Sequence, residues 1–556
     1  MTASTERPAV AGLRSNLSRH AARAVSLLTH TPPPTTTYRV HRGVRIPMRD
    51  GVELLADHYA PDTERPAGTL LVRGPYGRTW PFSSIYAAVY AMRGYHVVLQ
   101  SVRGTFGSGG EFQPTVNEAA DGVDTAAWLR DQPWFTGTFG TVGPSYLGAT
   151  QWALLQDPPP ELAAAVIVVG VHDFAATTWG TGSFGVNDFL GWSLMVSRQE
   201  DPNRLRTVLR QLTAGRVVAR AGAEPPLGAS GRKLLGVGAP WWESWLTHPD
   251  TTDPFWDSYR FARALEQSRV PVLLVGGWQD LFLEQTLEQY RALRDRDVDV
   301  ALTIGPWTHS QTGTKGAPEV LRESLQWFGT RLGDQPAATR SAVRVFVTGG
   351  GGWLDLPDWP PATSHTVCHP DVGGRLSPEP GPVVSSTFTF DPSHPTPTIG
   401  GRLLAPSSGR RRDNRLAERS DVLAFTGAPL PSAVFVLGAP VVELRHEADN
   451  DHVDLFVRVS EVDAKGRSRN VSDGYVRLRT ATGINTVTME LDPIAHRFAA
   501  GSRIRLLIAG GSFPRYAVNL GTGEPVAEGA RRVPATHVIH HDGSRLLLPA
   551  SPSLPG

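Results

Sequence analysis

Gly140-Thr-Val-Gly-Pro-Ser145-Tyr-Leu-Gly148-Ala-Thr-Gln-Trp152 carries the reading that decides the fold. A short apolar strand ends in a serine set among glycines, and a small-residue helix, Ala149 to Leu155, follows at once. So sharp a strand-to-helix turn forces its apex residue into a strained backbone conformation and lifts the Ser145 hydroxyl clear of the sheet. Gly143 and Gly148 remove side chains where the helix folds back over the strand. The spacing departs from the G-x-S-x-G elbow, because Leu147 stands where the second glycine belongs and Gly148 comes one later.

Working outward, alternating strands and helices surround this turn. Val44 to Met48, Arg49-Asp50-Gly51 and Val52 to Ala56 read as a β-hairpin. Gly68 to Val72 and Tyr95 to Gln100 read as buried strands, with helices over Ser83–Met92 and Asn117–Asp131. The glycine-rich loop Arg103 to Glu111 fits neither the G-x-G-x-x-G nor the Walker spacing, so it predicts no phosphate site. Two further strands end in Gly276-Gly-Trp-Gln-Asp280 and Gly305-Pro-Trp-Thr-His309. The pattern is that of a mostly parallel sheet.

The expected organisation is a flexible segment over 1–37, an α/β catalytic domain over 38–157 and 253–340, and a tryptophan-rich helical cap over 158–252. Residues 341–556 alternate with period two (Val343, Val345, Val347; Val453, Leu455, Val457, Val459) and predict an all-β sandwich.

With 556 residues the chain is too long for one core. Its 54 basic and 53 acidic residues nearly cancel, which gives no electrostatic reason to expect nucleic acid or an anionic membrane. The single cysteine, Cys368, excludes an intrachain disulfide. No apolar run approaches the roughly 20 residues that span a bilayer, and Ala21 to Leu28 is too short for a secretory core, so a cytoplasmic protein is expected. His365, Cys368 and His369 fall in a β region as an incidental group, and Asp449, Asp451 and Asp454 miss the EF-hand spacing. Neither a metal nor a cofactor is called for.

Acyl transfer by serine needs a base, a carboxylate to orient that base, and donors for the oxyanion. Asp280 and His309 follow consecutive predicted strands and so emerge on the same sheet edge as Ser145, where open α/β sheets gather their catalytic groups. The order Ser145, Asp280, His309 is the one α/β-hydrolases use. Asp280 also suits a helix N-cap for Leu281 to Tyr290.

At these residues the sequence resembles the cocaine esterase and X-Pro dipeptidyl-peptidase type of α/β-hydrolase. The matching stretches are Arg73-Gly-Pro-Tyr76, Arg103 to Phe112, Gly143-Pro-Ser-Tyr-Leu-Gly148, Gly276 to Asp280 and Gly305 to His309. In outline, Trp353, Trp359-Pro360 and Ser512 to Tyr516 with Asn519 extend it. The resemblance implies an α/β-hydrolase domain with a helical cap, followed by a jelly roll. It also implies Ser145 as nucleophile, His309 as base and Asp280 as its partner, with the Tyr76 phenol and the Tyr146 amide as oxyanion hole. By the same resemblance, Trp192 and Phe282 occupy places similar to those of family residues that contact the acyl group. Pro144 departs from the family pattern. The implied partner is a small ester or amide, hydrolysed or passed to another acceptor; Xaa-Pro dipeptide release, and a catalytically inert binding protein, stand as alternatives. Oligomeric state is open.

Overall fold

The computed structural model describes residues 31–201, 204–333, 335–336, 340–380, 383–551 and 553–554. The expected flexible segment therefore lies mostly outside the described residues. Its last part is held in place: the Thr36 hydroxyl donates to the Asp62 carbonyl at 2.7 Å, and Arg93 donates to the Pro32 carbonyl at 2.9 Å.

The first domain is built on one ten-stranded sheet in the order β1-β2-β4-β3-β5-β6-β7-β8-β9-β10. The strands are β1 (Tyr38–Pro47), β2 (Glu53–Pro61), β3 (Gly68–Gly74), β4 (Tyr95–Ser101) and β5 (Phe139–Pro144), then β6 (Leu162–Val168), β7 (Val272–Gln279), β8 (Val300–Thr308), β9 (Val343–Val347) and β10 (Gly352–Leu356). The hairpin β1–β2 is antiparallel, and β3 to β9 run parallel. Helices α1 (Glu118–Arg130), α2 (Tyr146–Leu154), α3 (Leu283–Arg294) and α4 (Ala317–Arg331) cover the two faces. β3, β4 and β7 are buried at every position, as a sheet covered on both faces requires. The helix expected over Ser83–Met92 is a wide π-type turn, Ser83–Ala88, running into one α-turn, Val89–Ala91.

Two boundaries differ from the sequence reading. Leu162–Val168 was expected in the cap but is β6, the central strand between β5 and β7. Its Ala163-Ala164-Ala165 run resembles helix in propensity, yet small side chains suit a strand packed on both faces, where Ala164 and Ala165 are fully buried. The cap begins after it, from Phe174–Trp179 to Trp241–Thr247. The second difference is at the other end. Val343, Val345 and Val347 were expected in the sandwich, but β9 and β10 extend the catalytic sheet beyond β8. Period-two alternation marks a strand with one wet face and does not say which sheet it joins.

From Ser364 onward the chain is all-β. Twelve strands form one nearly closed sheet, with Val453–Val462 paired on one side to Ser468–Leu478 and on the other to Arg503–Ala509. Its core includes Leu455, Val457, Leu506 and Ile508. Ser512 to Asn519 meets the cap, where the Asn187 amide donates to the Pro514 carbonyl at 2.9 Å.

Candidate active site

Ser145 sits at the end of β5 with φ 58° and ψ −122°, a left-handed conformation that costs a non-glycine residue about 1–3 kcal/mol. The neighbouring sequence makes it tolerable. The Ser145 amide donates to the Val168 carbonyl at 2.9 Å, which ties the turn to β6. Leu147 packs over β3 and β5 so closely that a Cβ on Gly74 or Gly143 would approach its side chain to 2.4 Å. A Cβ on Gly148 would lie 2.6 Å from the Gly170 Cα. The shifted glycine thus has a reason: position 147 carries a packing side chain, and α2 crosses the exit of β6 one residue later.

Asp280 follows β7 and is completely buried. Its Oδ1 accepts from His309 Nδ1 at 2.6 Å, and its Oδ2 accepts from the Phe282 amide at 3.0 Å. The partnership with histidine is present on one oxygen; the other ties down the turn that precedes α3, whose N-cap position is Phe282 and not the expected Asp280. His309 follows β8 with its side chain 11% exposed. The Phe282 ring stands edge-on to it, at 5.4 Å and 81°. An imidazole held at Nδ1 presents its Nε2 away from the carboxylate.

Tyr76 follows β3. Its hydroxyl accepts from Trp192 Nε1 at 3.0 Å and has Ser145 as a further polar neighbour. Burial raises this phenol above its ordinary pKa, against the opposing effect of its bonds to Trp192 and Ser145, so it stays protonated. The Tyr146 amide heads α2, where no intrahelical carbonyl is available to it.

Beneath the Tyr146 ring lies a buried network that the sequence reading did not contain. The Tyr146 hydroxyl donates to Glu118 Oε1 at 3.0 Å and accepts from the Thr115 amide at 2.7 Å. Glu118 Oε2 pairs with Arg73 at 3.0 Å, and Arg73 Nε donates to Gln100 at 2.7 Å. Burial raises the Glu118 carboxyl, with the Arg73 charge opposing it. The signal was present in the Arg73-Gly-Pro-Tyr76 stretch, but the partner Glu118 is 45 residues away and carries no motif.

Ser145, Tyr146, Trp192, Phe282 and His309 line one small cavity of about 30 Å³. The rest of its wall is mainly apolar, through Val171, Phe174, Phe189 and Leu281. Neither those four nor two further lining residues were among the expected site residues. Leu404 reaches in from the C-terminal domain, and Asp188 is the one carboxylate among the described lining residues. Asp188 Oδ1 accepts from the Leu404 amide and from Asn187, each at 2.7 Å. Burial raises its carboxyl, opposed by those same bonds. Nothing in a single sequence brings Leu404 or Asp188 to the serine, since both arrive through packing between domains.

Among the described residues no group of three potential metal ligands converges, and no helix is long and apolar enough to cross a membrane. Asp451 and Asp454 are spent on a turn and on Arg477.

Comparison with known proteins identifies the family and the fold. Residues 50–311 match the family described as X-Pro dipeptidyl-peptidase (S15 family), and residues 337–546 match its C-terminal non-catalytic domain. Cocaine esterase from Rhodococcus sp. (strain MB1 Bresler) is 31% identical over 548 residues, covering 88% of this chain and 94% of that one. In structure, an aminopeptidase from a marine sediment Thaumarchaeota archaeon superposes with a TM-score of 0.80 at 23% identity, covering 94% of this chain and 98% of that one. An α-amino acid ester hydrolase superposes with a TM-score of 0.79 at 22% identity, with the same coverage.

Proposed function

This chain belongs to the X-Pro dipeptidyl-peptidase (S15) family and is a serine hydrolase, and from that premise we propose that it cleaves carboxylic esters through an acyl-enzyme on Ser145. Ser145 Oγ attacks the carbonyl carbon while His309 Nε2 takes its proton. Asp280 holds the other imidazole nitrogen and balances the charge the ring acquires. The carbonyl oxygen becomes an oxyanion between the Tyr76 hydroxyl and the Tyr146 amide, with the N-terminal end of α2 behind it. Collapse returns the proton from His309 to the leaving oxygen. Water, deprotonated by His309, then attacks the acyl-enzyme and regenerates Ser145.

The observation that carries this reading is the strained Ser145 turn, in one cavity with a histidine bound at 2.6 Å to a fully buried aspartate. The small apolar cavity favours short acyl chains over a benzoyl group. The test is hydrolysis of p-nitrophenyl esters from acetate to benzoate, beside amino-acid p-nitroanilides, by wild type and Ser145→Ala. Activity on the short esters that vanishes in Ser145→Ala is expected. Activity that survives the substitution would overturn the proposal.

Asp188 favours a second reading, in which amides or esters bearing a free amino group are taken. Its second oxygen accepts no described hydrogen bond, and the side chain remains partly accessible beside the cavity. Under this reading the p-nitroanilides with a free α-amino group are cleaved, and their N-acetylated counterparts are not.

A further inference from the structure

Trp192 makes two contacts with the groups proposed to hold the oxyanion. Its indole N–H donates to the Tyr76 hydroxyl at 3.0 Å. Its plane lies parallel to the Tyr146 ring, at 9° and 5.9 Å between centroids. The indole is itself clamped in the cap, stacked on Trp245 at 6.0 Å and 27°, with Trp241 at 6.2 Å and Phe112 at 6.4 Å. Trp241 is anchored in turn by its N–H to the Ser193 hydroxyl, at 3.1 Å.

An indole nitrogen can only donate, whereas a phenol hydroxyl has one proton and two lone pairs. The contact therefore has one possible polarity, in which Tyr76 accepts from Trp192. The single Tyr76 proton is left for its other neighbour, Ser145, and hence for the oxygen that develops charge beside it. The geometry points to Trp192 as a positioning residue for the oxyanion hole: a cap residue that fixes the direction of the Tyr76 O–H rather than simply walling the acyl pocket. This inference rests on the reading of Ser145 as nucleophile and Tyr76 as oxyanion donor. Two physical consequences follow. A donor already oriented toward the developing charge needs no reorganisation during the reaction. In the chain N–H to O–H to O⁻, each bond also polarises the next, so the Tyr76 bond strengthens when the oxyanion forms. Because Trp192 belongs to the cap, the hole is complete only with the cap packed on the sheet.

The experiment is a double-mutant cycle on p-nitrophenyl acetate. Trp192→Phe keeps a ring and removes the N–H; Trp192→His keeps a ring N–H donor. Each is made in wild type and in Tyr76→Phe, and the thermal midpoint of every variant is recorded. Trp192→Phe should lower kcat about tenfold with little change in KM, the effect of one lost oriented hydrogen bond. Trp192→His should recover part of that loss. In the Tyr76→Phe background the same Trp192→Phe change should cost less than about twofold, because the two residues act as a unit. An equal loss in both backgrounds, or a change in KM or acyl preference without a change in kcat, would overturn the inference and leave Trp192 as a wall. Ser145→Ala in the same assay separates the two layers. If it is inactive while the cycle is additive, only the role of Trp192 fails; if it remains active, the nucleophile reading fails and takes this one with it.

Discussion

In the catalytic half, β3, β4 and β7 are buried from end to end, whereas in the C-terminal half Val441–Ala448 alternates between buried and half-exposed at every step. Both use valine and leucine heavily, but a strand covered on both faces has no side chain along its length free for chemistry. Its functional groups must lie where the chain leaves the sheet, and Tyr76, Ser145, Asp280 and His309 follow β3, β5, β7 and β8 within two residues. The C-terminal domain instead reaches over to those strand ends, from a loop at Leu404 and from the strand Ser468–Leu478 at Asn470. Leu404 reaches the cavity, and Asn470 approaches Gln279, next to Asp280, at 3.4 Å. One half would carry the reacting groups and the other would support them.

That division gives the largest expected effect to the strand ends. Asp280→Asn preserves the shape of the site but offers His309 Nδ1 the wrong partner, and kcat should fall by about 10⁴ with the melting midpoint nearly unchanged. A comparable change in the supporting half should act the other way round. Arg458 is fully buried and forms a two-pronged pair with Asp473, at 2.7 and 2.8 Å. Arg458→Leu leaves that buried carboxylate only the longer contact with Arg515, at 3.5 Å, and should cost about 3 kcal/mol in denaturant unfolding, with kcat of the folded fraction intact. If Arg458→Leu abolished kcat in fully folded protein, the division would be broken.

Gly148 sharpens the comparison within the catalytic half. The 2.6 Å approach to Gly170 leaves no space for a methyl group, so Gly148→Ala should lose about 1–3 kcal/mol and misplace the Tyr146 amide at the same time. Stability and activity should fall together here, unlike in the two previous variants.

Acid should affect both halves alike. Burial holds His58 down to about 3 in the catalytic half, and His446 to about 4 and His537 to about 3 in the other. A histidine with a depressed folded pKa is neutral in the native state and takes a proton on unfolding. Its contribution is full above the unfolded value of 6.5 and is lost as pH falls from there toward 3 to 4. Melting midpoints should therefore decline steadily below neutral pH, with no separate early step for either half. The smallest effect belongs to the surface: the Arg375 side chain is 66% exposed in its pair with Asp371, and Arg375→Ala should leave the midpoint where it is.

What the sequence made legible follows the same division. Residues that a backbone needs locally, such as the glycines around Ser145 and the Asp280 and His309 strand ends, stand in short stretches and can be read in order. The tryptophan-rich helical pattern that marked the cap concealed β6, which lies at the start of that span and is a strand packed on both faces. β9 joined the catalytic sheet although its alternation matched the other domain, and β10 followed it. Asp188, Leu404 and the Arg73–Glu118–Tyr146 network depend on contacts between distant segments, and no spacing rule encodes them. The strand ends were readable because strand order places them; of the cavity wall only Trp192 and Phe282 were, because packing places the rest.

The most direct test is to mix the protein with p-nitrophenyl acetate, quench in acid during turnover, and map the acetylated peptide by mass spectrometry. An acetyl group on the peptide carrying Ser145, absent when Ser145 is replaced by Ala, is the predicted result. Turnover with no adduct there, or with the acetyl group on another residue, would contradict the account.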